Sequence, residues 1–371
     1  MAIEYAGCVT DVWSVDRPGE NGLLWGDTLI RGSGGFTPAA GQKSIQGAFV
    51  SPLLADTHTH GRGGMAVLPD SEQLEQLLEG YLACGVGAVQ LSTVTLNEND
   101  LRGTLNAARM VRAARTELLG LHLEGPFLSA VKHGAHDRDL LRFGTLEQVK
   151  LLVGDYLDVV TSITLDPRSV DEGVIGWLVS QGVTVALGHT EANYAEMVAA
   201  FEEGATVLTH AFNAMNQIAA REPGPVLAAI DCGAWIEVIA DGHHVHPSLV
   251  RLLFDRAPAR VVLVSDSMPA AGLGDGAARL GGIAVTVQDN VARTVGGALA
   301  GSTLTLSDSV SNVASWGVDS TLAINAATVN PHHAYGLNAP SLNPGAPANL
   351  LVWSTDMELT HILRDGRVSA L

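Results

Sequence analysis

Lysine is almost missing from this chain: among 371 residues only Lys43, Lys132 and Lys150 carry an ammonium group. Positive charge in general is short, with 21 Lys and Arg against 39 Asp and Glu and a formal net charge of −18. A field of that sign argues against nucleic acid or an anionic membrane as a partner. It does not forbid an anionic small molecule, because a bound metal and a few local cations override it at short range. Cysteine is equally scarce. Cys8, Cys84 and Cys232 are odd in number, widely spaced and without a CxxC pair, which argues against a disulfide framework or a thiolate zinc site. Buried free thiols in a reducing compartment are expected instead. No apolar run approaches the ~20 residues of a membrane span. The opening MAIEYAGCVTDVW has neither the basic region nor the apolar core of a signal peptide. A soluble cytoplasmic protein is the expectation.

What is present is an ordinary apolar fraction, 47%, arranged in a regular alternation. Residues 1–48 read as short β pieces broken by Gly and Pro, as in RPGENG and RGSGG. From residue 49 apolar strands alternate with helix-like stretches. Strands are expected at 50–55, 88–94, 118–123, 158–164, 183–187, 205–209, 235–239 and 260–265. SEQLEQLLEGYLACG, NDLRGTLNAARMVRAAR and EANYAEMVAAFEEG are among the helical connections. Eight strands with seven such connections suit a closed (β/α)8 TIM-like barrel better than an open doubly wound sheet. A Gly-rich β insertion is expected near 277–300, then helix-like TLSDSVSNVASW and a turn region, ATVNPHHAYG. The tail ANLLVWSTDMELTHILRDGRV returns to strands with an Asp-Gly turn. The expected organisation is a catalytic barrel over 49–335, with 1–48 and 336–371 pairing into a small β-sandwich domain.

Polar residues fall directly after several of these strands. Glu124 follows GLHL, His189 follows VTVALG, His210 follows TVLT and Asp266 follows VVLVS. A fifth site, Asp56-Thr57-His58-Thr59-His60, follows AFVSPLLA. The C-terminal ends of barrel strands are where such folds keep their chemistry. Two imidazoles and a carboxylate are enough to hold zinc or another first-row divalent ion with a position left open. His58 and His60, two apart on a strand, point to one face. They either add a second metal position bridged by Glu124 or only shape the site. Asp266, beside an activated water, can accept its proton and later return it to a leaving group. The shortage of lysine decides one more point. Some barrel hydrolases bridge two metals with a carbamylated lysine at the end of strand four, but here that strand ends ITLDPRS. Neither Lys132 nor Lys150 sits at a strand end, which argues against that chemistry.

At these residues the chain resembles the N-acetylglucosamine-6-phosphate deacetylases of the amidohydrolase superfamily. The matching segments are DTHTHG (56–61), HLEGPF (122–127), KHGAH (132–136), GHTEA (188–192), THAFNAM (209–215), REPG (221–224), DGHHVHP (241–247), SDSMPAAG (265–272) and LAGS (299–302). They occur in family order and cover most of the barrel. The resemblance implies a metal on Glu124, His189 and His210, Asp266 as acid and base, and His136 polarising the acetamide carbonyl with the metal. It implies a sugar-phosphate site at Ala135, Asn213, Ala214, Arg221, His244 and Leu299-Ala300-Gly301, the arginine offering the fork that a phosphate dianion prefers. It also implies a homodimer, since one substrate contact in the family can cross a dimer interface. Members differ at strand one, some keeping His-x-His and others working with one metal, so the number of metals stays open. Asn349 departs from the family's usual Asp in the tail. Another amidohydrolase, acting on N-acetylgalactosamine 6-phosphate or another small N-acyl substrate, is the alternative activity. A barrel that only senses a sugar phosphate is the alternative class.

Overall fold

Eight apolar runs pair in strict chain order into one parallel sheet: β1 (Leu54–Thr59), β2 (Val86–Thr93), β3 (Leu118–Glu124), β4 (Val160–Leu165), β5 (Thr184–Leu187), β6 (Val207–Leu208), β7 (Trp235–Val238) and β8 (Val261–Leu263). The computed structural model describes residues 7–10, 13–14, 22–25, 30–33 and 43–371. Backbone bonds close the seam between the last strand and the first. The Asp266 N–H donates to His58 O at 2.9 Å, and the His60 N–H to Ser267 O at 2.8 Å. All six residues of β1 are buried, as expected where one face fills a barrel and helices cover the other.

Seven helices connect the strands: α1 (Ser71–Leu82), α2 (Glu98–Ala114), α3 (Leu146–Val153), α4 (Val174–Ser180), α5 (Tyr194–Glu203), α6 (Gly224–Asp231) and α7 (Pro247–Arg256). Their starts are written in local chemistry. The Asp70 carboxylate caps α1, and reciprocal Thr145–Gln148 and Asn193–Glu196 capping boxes start α3 and α5. The amphipathic faces then bury residues such as Leu74, Leu77, Leu78, Met197 and Phe201 against the sheet, in one continuous core.

Outside the barrel, Phe49–Pro52 pairs antiparallel with Leu350–Trp353, which continues into Leu359–Arg364 and Arg367–Ala370. Trp13–Ser14 lies on the other edge of this sheet. A second sheet joins Ile30–Ser33, Gly22–Trp25, Gly7–Thr10 and Lys43–Gln46. Trp25, Ile30 and Ile45 from it pack with Val50, Leu350, Val352 and Leu363 from the first, so strands from both chain ends share a core. A three-stranded meander, Gly276–Leu280, Ile283–Gln288 and Val291–Thr294, follows β8.

Three expectations are corrected. The strand expected at 50–55 is two strands. Pro52, with no N–H to donate, closes the first, and β1 runs on to Thr59, so Asp56, Thr57, His58 and Thr59 lie within a strand. ATVNPHHAYG, expected as a turn, contains the helix α10 (Val329–Ala334), which follows α8 (Leu306–Ser315) and α9 (Ser320–Ala327). Pro331 fits its first turn, where no intrahelical N–H is needed. Asn330 ties it to the Val261 carbonyl of β8 at 2.7 Å. Two of the three cysteines expected to be buried are not: Cys84 is half-buried and Cys232 exposed, while the side chain of Cys8 lies outside the described residues. Among the described residues no helix is long and apolar enough to cross a membrane.

Candidate active site

Glu124 is the last residue of β3, and its buried carboxylate is the hub of the barrel mouth. Oε1 lies 3.0 Å from His189 Nε2, 3.0 Å from His210 Nε2 and 3.5 Å from His58 Nε2. Oε2 lies 3.0 Å from His136 Nε2 and 3.2 Å from His60 Nε2. Asp266 brings a second carboxylate, 3.2 Å from His60 Nε2 and 3.7 Å from His58 Nε2. His189, His210 and Asp266 adopt left-handed backbone angles, with φ of 47°, 26° and 46°. Non-glycine residues held there store strain of a kind that clusters at functional sites. Here the bend at each strand end turns the side chain into the mouth.

Hydrogen bonds on the far sides of the rings sort the histidines into two kinds. His189 Nδ1 lies 2.8 Å from the Lys132 carbonyl and His60 Nδ1 lies 3.1 Å from the Ser92 carbonyl. A carbonyl only accepts, so those nitrogens carry a proton, and each ring, when neutral, presents an Nε2 lone pair to the cluster. His58 Nδ1 faces Glu237 Oε2 at 3.2 Å, with the same consequence. His136 is the reverse. Its Nδ1 accepts the Thr95 backbone N–H at 3.1 Å, which puts the ring proton on Nε2, donated to Glu124 at 3.0 Å.

Lone pairs of His58, His60 and His189 thus converge on carboxylate oxygens, and His189 Nε2 stands 3.1 Å from His210 Nε2. Such a set requires positive charge in its midst. Protons would meet the demand only by charging the rings. Burial lowers the His60 pKa, but Asp266 and Glu124 outweigh it and raise it to about 9. His58, equally buried, is raised well above the usual range by Glu124, Glu237 and Asp266. Burial would raise the carboxylates, yet the imidazoles pull Glu124 well below its usual value and Asp266 down to about 2. A divalent cation answers the same demand with the rings neutral, and this oxygen and imidazole donor set suits one. Among the described residues two groups have the spacing for an ion: His58 with His60 and Asp266, and Glu124 with His136 and His189. The tautomer makes His136 a donor rather than a ligand, and His210 Nε2, 3.0 Å from Glu124 Oε1, stands in the corresponding place. Burial holds the His136 pKa down to about 4, so the ring is neutral at pH 7.

Above the cluster opens a cavity of about 440 Å³, within the range of small-molecule sites. His60, Glu124, His136, His189, His210 and Asp266 line its floor, with Ala135, Asn213, Ala214, His244, Leu299 and Gly301 on its walls. His244 is held by Asp241 at 2.6 Å, and Asn213 Nδ2 is bonded to the His210 and Ala211 carbonyls, each at 3.2 Å. His58 lies beneath the floor, fully buried. Two expected substrate contacts stand elsewhere. Ala300 is buried against Met268 and the meander, and Arg221 is exposed and does not line the cavity. Lys132 is the one Lys or Arg among the described lining residues.

Glu237, Thr95 and His122 escape the strand-end pattern. Glu237 and His122 are polar residues inside the apolar runs WIEVIA and LLGLHLE, a signal that both are buried for a reason. His122, two residues before Glu124 and on its face of β3, bonds Ser92 Oγ at 2.9 Å and Thr164 Oγ1 at 2.7 Å. Burial holds its pKa well below the usual value, so it packs as a neutral, satisfied ring.

The amidohydrolase family model matches residues 49–369. An N-acetylgalactosamine-6-phosphate deacetylase of Escherichia coli is 35% identical over 86% of this chain and 87% of its own length. An N-acetylglucosamine-6-phosphate deacetylase of Vibrio furnissii is 31% identical over 85% of this chain and 82% of its own. Among solved structures, a mutant N-acetyl-D-glucosamine-6-phosphate deacetylase of Mycobacterium smegmatis, in complex with N-acetyl-D-glucosamine-6-phosphate, is 34% identical with a TM-score of 0.89. The match covers 99% of this chain and 100% of that one.

Proposed function

The chain belongs to the amidohydrolase family, and we propose that it hydrolyses the acetamide of N-acetyl-D-glucosamine 6-phosphate to D-glucosamine 6-phosphate and acetate. The observation that carries this reading is the pairing of Glu124, ringed by imidazole lone pairs, with Asp266 in one cavity. The named activities of the similar proteins supply the substrate. A divalent ion, zinc on our reading, held by Glu124, His189 and His210, with a second position at His58 and His60, would supply Lewis acidity and lower the pKa of a water in the site.

The chain's own residues do the rest. Asp266, ionised at neutral pH, takes a proton from the attacking water as the C–O bond forms. It returns that proton to the nitrogen as the C–N bond breaks, so the amine leaves neutral. His136, neutral and protonated on Nε2, is the donor available to the carbonyl oxygen as negative charge builds there. In the structure that N–H donates to Glu124, so engaging substrate means exchanging one acceptor for another.

On this reading Ala135, Asn213, Ala214, His244 and the Leu299-Ala300-Gly301 segment hold the sugar phosphate, with Ala300 supporting the wall from behind. The exposure of Arg221 outside the cavity supports a phosphate contact made into a second copy of the chain, hence a homodimer. A cytoplasmic place in amino-sugar breakdown, with residues 49–335 as the catalytic unit, completes the reading.

Acetate release from N-acetylglucosamine 6-phosphate, measured beside unphosphorylated N-acetylglucosamine and N-acetylgalactosamine 6-phosphate, tests it. The gluco phosphate should have the highest kcat/KM. Absence of acetate from all three would end the proposal. The galacto phosphate is the second reading, favoured by the 35% identity to the Escherichia coli enzyme named for it, and a higher kcat/KM there would select it.

A further inference from the structure

On the far side of the His58 ring from the cavity lies a buried carboxylate with no part in the reaction above. Glu237, on β7, is 1% exposed. Since β8 stands between β7 and β1, its side chain crosses the barrel interior to reach His58. Oε2 lies 3.2 Å from His58 Nδ1, and Oε1 accepts the Tyr335 hydroxyl at 2.7 Å. Tyr335 caps the C-terminus of α10, the helix that Asn330 fastens to β8. A buried carboxylate is costly unless bonded, and both oxygens here are engaged, one of them on a ring of the cluster. With Oε1 accepting from Tyr335 and Oε2 facing Nδ1, the His58 proton belongs on Nδ1 and its lone pair on Nε2, which faces His60 at 3.3 Å and Asp266 at 3.7 Å.

We infer that Glu237, steadied by Tyr335, is a positioning residue that fixes His58 in the tautomer able to bind a divalent cation, and thereby makes His58, His60 and Asp266 a second ion position beside that of Glu124, His189 and His210. Carboxylates behind a ligating imidazole set its orientation and raise its basicity, and losing one typically weakens the metal by about 10–100-fold. The inference rests on the reading that the cluster holds divalent cations and is independent of which sugar is cleaved.

The test is metal binding by the chelator-stripped full chain. It is dialysed against buffers of fixed free zinc and counted by plasma mass spectrometry, with cobalt(II) absorption as a report on imidazole ligation. The unmodified protein should take two ions. Glu237→Gln, whose amide can also donate to Nδ1 and so releases the tautomer, should hold the second ion about 10–100-fold more weakly and keep the first. Tyr335→Phe should shift the second ion in the same direction by less. Adding Glu237→Gln to His58→Gln should cost no further affinity, because Glu237 acts through that ring. A residue with only a packing role would lower the melting temperature of the stripped protein without changing ion affinity. Unchanged binding of two ions by Glu237→Gln, or a further loss in the double variant, would overturn the inference. If Glu237→Gln does not fold, Tyr335→Phe alone and combined with His58→Gln decides by the same criteria. A single ion in the unmodified protein overturns the inference and leaves the proposed function standing, whereas no ion at all removes both.

Discussion

Replacing His136 with glutamine should remove an acid-sensitive part of the protein's stability. The ring is buried, its Nδ1 accepts the Thr95 N–H, and its Nε2 proton is donated to Glu124. Burial lowers its pKa from 6.5 to about 4, against the pull of the Glu124 charge. The sign follows from where protons bind. Below pH 6.5 the unfolded chain takes a proton on this imidazole, while the folded chain refuses it until about pH 4. Stability from the buried neutral ring is therefore full above pH 6.5, falls through that window, and is gone below about pH 4. At about 1.36 kcal/mol per pH unit the loss is roughly 3 kcal/mol. A cation beside Glu124 would repel the proton and extend the window further down, so the sign holds with or without one. Glutamine can accept from Thr95 and donate to Glu124 without titrating. Urea unfolding of the stripped wild type and His136→Gln between pH 7.5 and 4 gives the difference in stability at each pH, in which titrating groups not coupled to His136 cancel. That difference should move in favour of the variant by roughly 3 kcal/mol as the pH falls. A difference that stays flat would refute a neutral, Nε2-protonated His136, and with it the donor assigned to the carbonyl oxygen.

Asp266→Asn keeps the shape of the site and loses the base. Its kcat should fall by about 10²–10⁴ with KM little changed, and near-normal turnover would take Asp266 out of the role. Gly301 has φ +66°, and a Cβ there would stand 2.7 Å from the Asp266 carbonyl oxygen. Gly301→Ala should therefore cost roughly 2–5 kcal/mol from left-handed strain and crowding and lower kcat through Asp266. Wild-type unfolding and turnover would show that this contact is slack. Arg221→Ala should raise KM for the 6-phosphate substrate and leave the unphosphorylated sugar almost unaffected. An equal effect on both would remove the phosphate contact.

The barrel was legible because each strand is a short apolar run closed by polar residues, and the run lengths separate strand from helix. The meeting of Glu124, His189, His210 and Asp266 at one mouth follows from that pattern alone, since consecutive parallel strands present their C-terminal ends together. What pattern reading could not supply depends on chain geometry. The division of 49–59 into two strands of different sheets turns on Pro52 within one apolar run. The tautomers depend on the Lys132 and Ser92 carbonyls and the Thr95 N–H, which are backbone groups that every residue type offers. Glu237 and Tyr335 meet His58 only across the barrel interior, and Tyr335 closes a helix that looks like a turn because Pro331 sits in it. Arg221 reads as a phosphate ligand in REPG, and only the folded chain shows that it is exposed outside the cavity of its own chain.

The central claim is that a divalent ion at the Glu124 cluster and the Asp266 carboxylate together hydrolyse the acetamide. Its most direct test is acetate release from N-acetylglucosamine 6-phosphate by the chelator-stripped protein as zinc is returned in measured equivalents. Hydrolysis should be absent from the stripped protein and rise with bound ion until the cluster is filled. Full turnover by a folded protein shown to hold no metal would contradict it.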